Sequence, residues 1–201
     1  MPKHEKLLWI GFGKFVTIRG RGFGKRLLEG GMFDFLNCRK ADFEKAEQLA
    51  WETLVKSGFN RPPVIAVEIA DQKGLKVEIT HFKKEYRQKV AGFIDPGSGI
   101  IVVNAEDSIS RRNFTVAHEL GHVVLGHDIE SPEYSVLFRN SEKQKYKSPM
   151  EQEADCFAAN LLVPMSMLRE CLENYPFALD QQLAQIFGVS AEVIKWRRKY
   201  I

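Results

Sequence analysis

The sequence predicts an α+β fold, in which several helices surround a small mixed or antiparallel β-sheet. Two kinds of pattern lead to this prediction. Apolar residues recur at helical spacing before and after the middle of the chain, and short apolar runs bounded by Gly, Pro and Asp predict strands between them. With 201 residues and 44% hydrophobic content, the chain is long enough to bury one sizeable core.

Residues 1–40 are predicted to be a basic N-terminal extension. They carry a net charge of +6, whereas the rest of the chain carries −3. A basic arm can contact nucleic acid or an acidic partner, although a solvated tail is the commoner case. The apolar run over 7–18 is interrupted by Lys14 and is followed by Arg and Gly instead of a small neutral cleavage site, so we do not expect export. An alternative is that translation starts at Met32.

A domain over residues 41–178 is predicted to begin with scaffold elements. Apolar spacing predicts one helix over 42–57, which ends at Gly58, and a shorter one over 64–72. Alternation of apolar and polar residues, or a short apolar run beside turn residues, predicts three strands. These strands are 75–79, 90–94 and 100–103.

The segment His118-Glu119-Leu120-Gly121-His122 has the pattern of a metal-dependent hydrolase. Apolar residues on both sides predict a buried helix, in which the two histidines lie on one face, one turn apart. Two imidazoles in this arrangement can bind one metal ion. Glu119, about 100° round the helix axis, can then take a proton from the water that the metal activates. The alternative is a core helix with two incidental histidines.

A catalytic zinc ion normally has three protein ligands and one water, so the sequence should contain a third ligand. His127 lies five residues after His122, whereas the metzincin pattern requires six, and Leu125 stands where that pattern has Gly. We therefore interpret His127 as a polar residue at the end of the helix, where the helix dipole favours a protonated ring.

Glu151 is the better candidate for the third ligand. It lies at the start of a second predicted helix, over 150–163, and shares one face of that helix with Asp155 and several small residues that allow another helix to approach. Asp155 can accept the second ring N–H of a ligating histidine and so fix its orientation. Glu153 is predicted to point about 200° away from Glu151. The alternative is a solvated acidic start of a helix.

Two stretches of the sequence resemble the ImmA/IrrE family of zinc metallopeptidases. The first is Arg112 to His122, and the second is Glu-x-Glu-Ala-Asp-x-Phe-Ala-x-x-Leu-Leu-Val-Pro over 151–164. Residues 99–104 look like the strand that precedes the active-site helix of the family, and residues 183–190 look like its C-terminal helical segment. The resemblance therefore covers roughly residues 41 to 199.

The resemblance implies a zincin-like helical domain, with a small sheet packed on the helix that carries the His-Glu-x-x-His motif, and Zn²⁺ as cofactor. The zinc ligands of the family correspond to His118, His122 and Glu151, and its catalytic glutamate corresponds to Glu119. Asp155 stands where many relatives have Asn, in the position of a residue that orients a ligating histidine.

The implied activity is that of a zinc-dependent endopeptidase that cleaves a regulatory protein in the cytoplasm. In this family the substrate is often a helix-turn-helix repressor encoded beside the protease on a mobile element or prophage. Three cysteines without metal-type spacing fit a reducing compartment. No apolar run approaches the roughly 20 residues that a membrane span needs, so no membrane partner is expected. Neither the individual substrate nor the oligomeric state follows from the sequence.

Residues 179–201 support a rival interpretation. A helix, a turn at Gly188 and a basic second helix resemble a helix-turn-helix, with four cations available for phosphates. These cations are Lys195, Arg197, Arg198 and Lys199. The chain would then be a non-proteolytic DNA-binding or metal-sensing regulator, or a toxin-type partner. The other interpretation is a helical pair packed on the protease core, with Ile194 and Trp196 inward and the cations solvated.

Overall fold

The structure is a computed structural model that describes residues 40–88, 90–128 and 147–201. It also gives the backbone of three short strands outside these ranges. Helices and strands are interspersed along the chain, which confirms the predicted α+β class. In the described part of the chain, no helix is long and apolar enough to cross a membrane.

The helices predicted over 42–57, 64–72 and 150–163 are present, and their ends lie within two residues of the predicted ones. The helices over 84–87 and 165–174 were not predicted. In chain order the helices are α1 (Phe43–Ser57), α2 (Ala66–Gln72), α3 (Lys84–Arg87), α4 (Ile109–Leu125), α5 (Pro149–Leu162), α6 (Met165–Asn174), α7 (Asp180–Phe187) and α8 (Ala191–Arg197). A 3-10 helix, Arg198–Tyr200, follows α8. The strands are β1 (Lys6–Ile10), β2 (Lys14–Ile18), β3 (Lys76–Thr80), β4 (Val90–Asp95), β5 (Ile100–Asn104) and β6 (Leu137–Phe138).

The main sheet is mixed, with the strand order β3-β5-β4-β6. β3 runs parallel to β5, whereas β4 runs antiparallel to both β5 and β6. The turn between β4 and β5 is stabilised by Asp95, which accepts hydrogen bonds from the Gly97 amide and the Ser98 hydroxyl. β1 and β2 form a separate antiparallel hairpin.

Helix α4 lies between the sheet and α5. A Cβ atom on Gly92 of β4 would lie 2.5 Å from the Thr115 side chain of α4 and 2.7 Å from the Val102 carbonyl oxygen, so only glycine allows this approach. On the other side of α4, a Cβ atom on Gly121 would lie 3.0 Å from the ring of Phe157 in α5. These two glycines bring the sheet, α4 and α5 into close contact, and the α4–α5 interface contains the candidate site.

The C-terminal helices share the core of the rest of the chain. Leu183, Phe187 and Ile194 are fully buried in the same apolar cluster as α4 and α5. The inward position of Ile194 agrees with the packed interpretation of residues 179–201. Trp196 is partly buried and packs against the same cluster.

The burial of Arg197 agrees with neither interpretation of this segment. Its side chain is buried, and its Nε donates to the carbonyl oxygen of Val163 at the end of α5, at 3.0 Å. Burial lowers the pKa of its guanidinium group below the usual value, although the charges of Glu47 and other groups oppose this effect. Arg197 is therefore neither solvated nor placed to bind a phosphate, and it stabilises the junction between α5 and α8.

Candidate metal centre

The two histidines and the glutamate of the His-Glu-x-x-His motif lie in the buried half of α4. The helix begins after Ser108, whose hydroxyl accepts from the Arg111 amide, and continues for 17 residues. His118, Glu119 and His122 are all 0% exposed. The predicted helix and its burial are thus confirmed, and all three polar side chains sit where the surrounding protein excludes bulk water.

Glu151 lies in the first turn of α5, directly opposite the two histidines. Ser148 and Pro149 start this helix, and the Ser148 hydroxyl accepts from the Glu151 amide. The Oε2 atom of Glu151 is 3.3 Å from His118 Nε2, and its Oε1 atom is 3.4 Å from His122 Nε2. The two Nε2 atoms are 3.2 Å apart. Three side chains that the sequence analysis singled out therefore converge on one point.

Asp155 contacts the ring of His118. One turn after Glu151, its Oδ1 atom is 3.0 Å from His118 Nδ1, and its Oδ2 atom is paired with Lys147. Burial acts to lower the pKa of His118, but the hydrogen bonds to Asp155 and Glu151 outweigh it and raise that pKa to about 10. Burial acts to raise the pKa of Asp155, but the hydrogen bond and charge of His118 lower it. The pair places the Nε2 atom of His118 toward Glu151.

His127 and Glu153 also belong to this cluster, which the sequence analysis did not predict. The Nδ1 atom of His127 is 3.0 Å from His122 Nδ1, and its Nε2 atom is 2.8 Å from Glu153 Oε2. His127 lies just beyond the end of α4, as predicted, and its ring is buried because the chain turns back at Gly126. Burial, together with the charge of His118, lowers the pKa of His122 to about 2.

Neither cysteine in the described part of the chain belongs to this cluster. Cys156 is a buried free thiol on α5 that donates weakly to the Phe43 carbonyl oxygen and accepts from the side-chain amide of Asn160. Burial, with the charge of Glu47, raises its pKa to about 11. Cys171 is also free and partly exposed, and Cys38 lies outside the described residues. Cys156 belongs to the hydrophobic core, and Cys171 packs against it.

Comparison with known families agrees with this arrangement. The sequence model of the peptidase M78 family, described as the IrrE N-terminal-like domain, matches residues 70–199 and so includes both helices of the cluster. The chain belongs to this family. The resemblance to ImmA/IrrE metallopeptidases is thereby confirmed, and the buried cluster of His118, His122 and Glu151 is a group that can hold a metal ion.

Two individual proteins show how far the similarity extends. The radiation response metalloprotease IrrE of Deinococcus radiodurans is 30% identical over 84 residues, which are 42% of this chain and 25% of that protein. The match thus spans about a quarter of the length of this relative. A Mycobacterium tuberculosis transcriptional regulator has a similar fold, with a TM-score of 0.56 and 18% identity over 77% of this chain and 46% of that chain. At this identity the similarity concerns the fold alone.

Proposed function

We propose that this protein is a zinc-dependent endopeptidase, with His118, His122 and Glu151 as zinc ligands and Glu119 as the catalytic base. The spacing of the three donor groups carries this proposal. Ligand atoms about 2.0–2.1 Å from a tetrahedral zinc ion lie roughly 3.3–3.4 Å from one another. The two Nε2 atoms are 3.2 Å apart, and each lies 3.3 or 3.4 Å from a different carboxylate oxygen of Glu151, so the three donor groups are close enough to bind one ion.

The chemistry of the donor set supports zinc in a catalytic role. Two neutral imidazoles and one carboxylate are a ligand set of zinc peptidases, and this set leaves a fourth position for water. Hydrogen bonds to Asp155 and Glu151 outweigh burial and raise the pKa of His118 to about 10. A histidine must be deprotonated to ligate a metal, so binding of zinc by His118 would release the second ring proton.

The proposed mechanism divides the work between the zinc ion and the side chains around it. Bound zinc supplies a water with a pKa near 7 and polarises the carbonyl of the scissile bond. Glu119 accepts the proton of the attacking water and passes it to the leaving amine. Asp155 holds His118 in the orientation that directs Nε2 to the metal. Burial of Glu119 and both histidines strengthens these electrostatic interactions, since bulk water is excluded.

We propose a regulatory protein as the substrate, specifically a helix-turn-helix repressor encoded nearby and cleaved in the cytoplasm. The support for this substrate is the resemblance to the ImmA/IrrE family together with a relative named as a radiation response metalloprotease. In this proposal, residues 1–40 form a basic extension, 41–178 the zincin-like peptidase domain, and 179–201 a helix-turn-helix-like segment packed on it.

The alternative of a DNA-binding regulator is less well supported. Of the four cations assigned to phosphates, Arg197 is buried against the Val163 carbonyl oxygen, and Arg198 is paired with Asp180 at 2.8 Å. Lys195 and Lys199 remain as candidates. Because phosphate contacts supply most of the affinity for nucleic acid, losing two of four favours the packed interpretation.

The decisive experiment compares Glu119→Gln with His118→Ala. We expect the unmodified protein to bind one zinc ion and to cleave a helix-turn-helix repressor encoded by an adjacent open reading frame. Glu119→Gln should retain the zinc and lose cleavage, whereas His118→Ala should lose both. Zinc content is measured by elemental analysis, and cleavage by mass spectrometry of the products. Cleavage by Glu119→Gln at the unmodified rate would contradict the mechanism.

A further inference from the structure

We propose that His127 and Glu153 are positioning residues that keep the proton of the His122 ring on Nδ1, so that Nε2 is free to bind the metal. This inference rests on the proposed zinc site. Asp155 acts on His118 through one hydrogen bond. The carboxylate that acts on His122 belongs to Glu153, and it acts through the ring of His127, which lies between them.

The contacts form one continuous chain through three helical segments. His122 Nδ1 faces His127 Nδ1 at 3.0 Å, and His127 Nε2 faces Glu153 Oε2 at 2.8 Å. The backbone N–H of Asp42, which caps the start of α1, donates to Glu153 Oε1 at 2.7 Å. The side chains of His127 and Glu153 are 2% and 1% exposed. Water therefore competes little for these bonds.

The direction of each hydrogen bond follows from the carboxylate. An ionised carboxylate only accepts, so the Nε2 atom of His127 carries the proton that Glu153 receives. A neutral imidazole has one donor nitrogen, which leaves Nδ1 of His127 as an acceptor. His122 must then donate from its own Nδ1 atom. A neutral His122 that donates from Nδ1 has a lone pair on Nε2, the atom that lies 3.4 Å from Glu151 Oε1.

The end of α4 explains how a residue outside the helix reaches a ring inside it. Gly126 adopts the left-handed conformation, with φ +70°. The Gly126 amide donates to the Val123 carbonyl oxygen, and the His127 amide donates to the His122 carbonyl oxygen. These are the two hydrogen bonds of a Schellman motif, which folds the chain back over the last turn. The turn places the His127 ring beside the ring of His122.

The first test needs no substitution. Nitrogen-15 NMR of the metal-free protein distinguishes the two ring nitrogens of each histidine by their shifts and couplings. We expect the His122 ring to carry its proton on Nδ1 and the His127 ring on Nε2. A His122 ring with its proton on Nε2 in the unmodified protein would overturn the inference.

The second test uses Glu153→Gln, which keeps the shape of the side chain but replaces one acceptor with a donor. The NH2 group of the Gln side chain then faces either the Asp42 N–H or the His127 Nε2–H, so that two donors face each other. To relieve the second conflict, the His127 proton moves to Nδ1 and that of His122 moves to Nε2. We expect zinc affinity to fall about 10–100-fold, the usual range when a partner of a ligating histidine is changed. A space-filling role for Glu153 would leave zinc affinity unchanged in this variant.

Asn160→Ala is the matched control, because it removes a buried polar group from the same helix, away from the cluster, where Asn160 donates to the Cys156 carbonyl oxygen. Its zinc affinity should equal that of the unmodified protein. His122→Ala separates the two proposals. Unchanged zinc affinity in His122→Ala would contradict the zinc site itself. Loss of zinc in His122→Ala with unmodified affinity in Glu153→Gln would contradict the positioning role alone.

Discussion

Gly121 controls how closely α4 approaches α5, and Gly121→Ala tests whether that distance matters for the metal centre. A Cβ atom at this position would lie 3.0 Å from Cδ1 and 3.3 Å from Cβ and Cγ of Phe157. Phe157 is 0% exposed, so its ring has no open space to enter. Relief of the contact therefore requires Phe157 to move by a few tenths of an ångström, and α5 is expected to move with it.

Two opposing effects set the magnitude for stability. Alanine favours a helix interior over glycine by about 0.8–1.0 kcal/mol. Adding a methyl group to a closely packed core typically costs about 1–3 kcal/mol. We expect the second effect to win, with a net loss of about 1 kcal/mol in the free energy of unfolding.

We expect Gly121→Ala to have a larger relative effect on zinc affinity than on the free energy of unfolding. Metal–ligand distances are confined to about ±0.2 Å, so a comparable shift of Glu151 relative to the two histidines weakens binding. Stability is measured by urea denaturation of the metal-free protein, and zinc affinity by competition with a chromophoric chelator. Gly97→Ala is the control, since a Cβ atom there would meet only Asp95, at 3.5 Å.

The result that would refute this reasoning is a Gly121→Ala protein that is more stable than the unmodified one and binds zinc equally well. The helix propensity of alanine would then dominate, and the packing of Phe157 would not determine the geometry of the site.

Three further predictions concern single residues. Gly126→Ala should lower the free energy of unfolding by about 1–2 kcal/mol, because its φ of +70° is strained in residues with a Cβ atom, and urea denaturation measures it. In a Cys38→Ser background, iodoacetamide should alkylate Cys171 well before Cys156, whose thiol is buried and has a pKa raised to about 11; equal rates by mass spectrometry would contradict this. Asp155→Asn should destabilise the metal-free protein most between about pH 4 and 6.5, as urea denaturation across pH would show.

The pH range in which Asp155→Asn destabilises the protein follows from the pKa values of Asp155 and His118. His118 has its pKa raised from 6.5 to about 10, so its contribution is complete below pH 6.5 and disappears as the pH rises through 10. Asp155 has its pKa lowered from 3.8, so its contribution is complete above pH 3.8 and disappears on acidification. A difference in stability between the two proteins that grows above pH 10 would contradict the ion pair.

Local patterns were sufficient to predict the helices and strands that build the site. Helical periodicity and stop signals located α4 and α5, and turn residues located β4 and β5, because each signal lies within one element. The convergence of Glu151 with the two histidines was predicted from helix faces and from family resemblance. This convergence was predictable because it depends only on contact between the faces of two helices.

Other features depend on where separate segments meet, which local patterns do not encode. His127 was assigned to the helix end because spacing along the chain does not show that the turn at Gly126 returns its ring to His122. Glu153 was assigned to another face of α5, and it does lie there, but His127 reaches that face from beyond the end of α4. Arg197 is buried because the last carbonyl groups of α5 lack helical partners, and one of them accepts from its side chain.

The hydrogen bond from the Asp42 backbone to Glu153 has a consequence for how such a centre changes in evolution. Every residue except proline has a backbone N–H, so almost any substitution at position 42 keeps this bond. The Asp42 side chain has a different task, because it caps α1 by accepting from the Lys45 amide. Drift at this position therefore leaves the bond intact, and alignments of side chains will pass over a part of the metal centre that the main chain supplies.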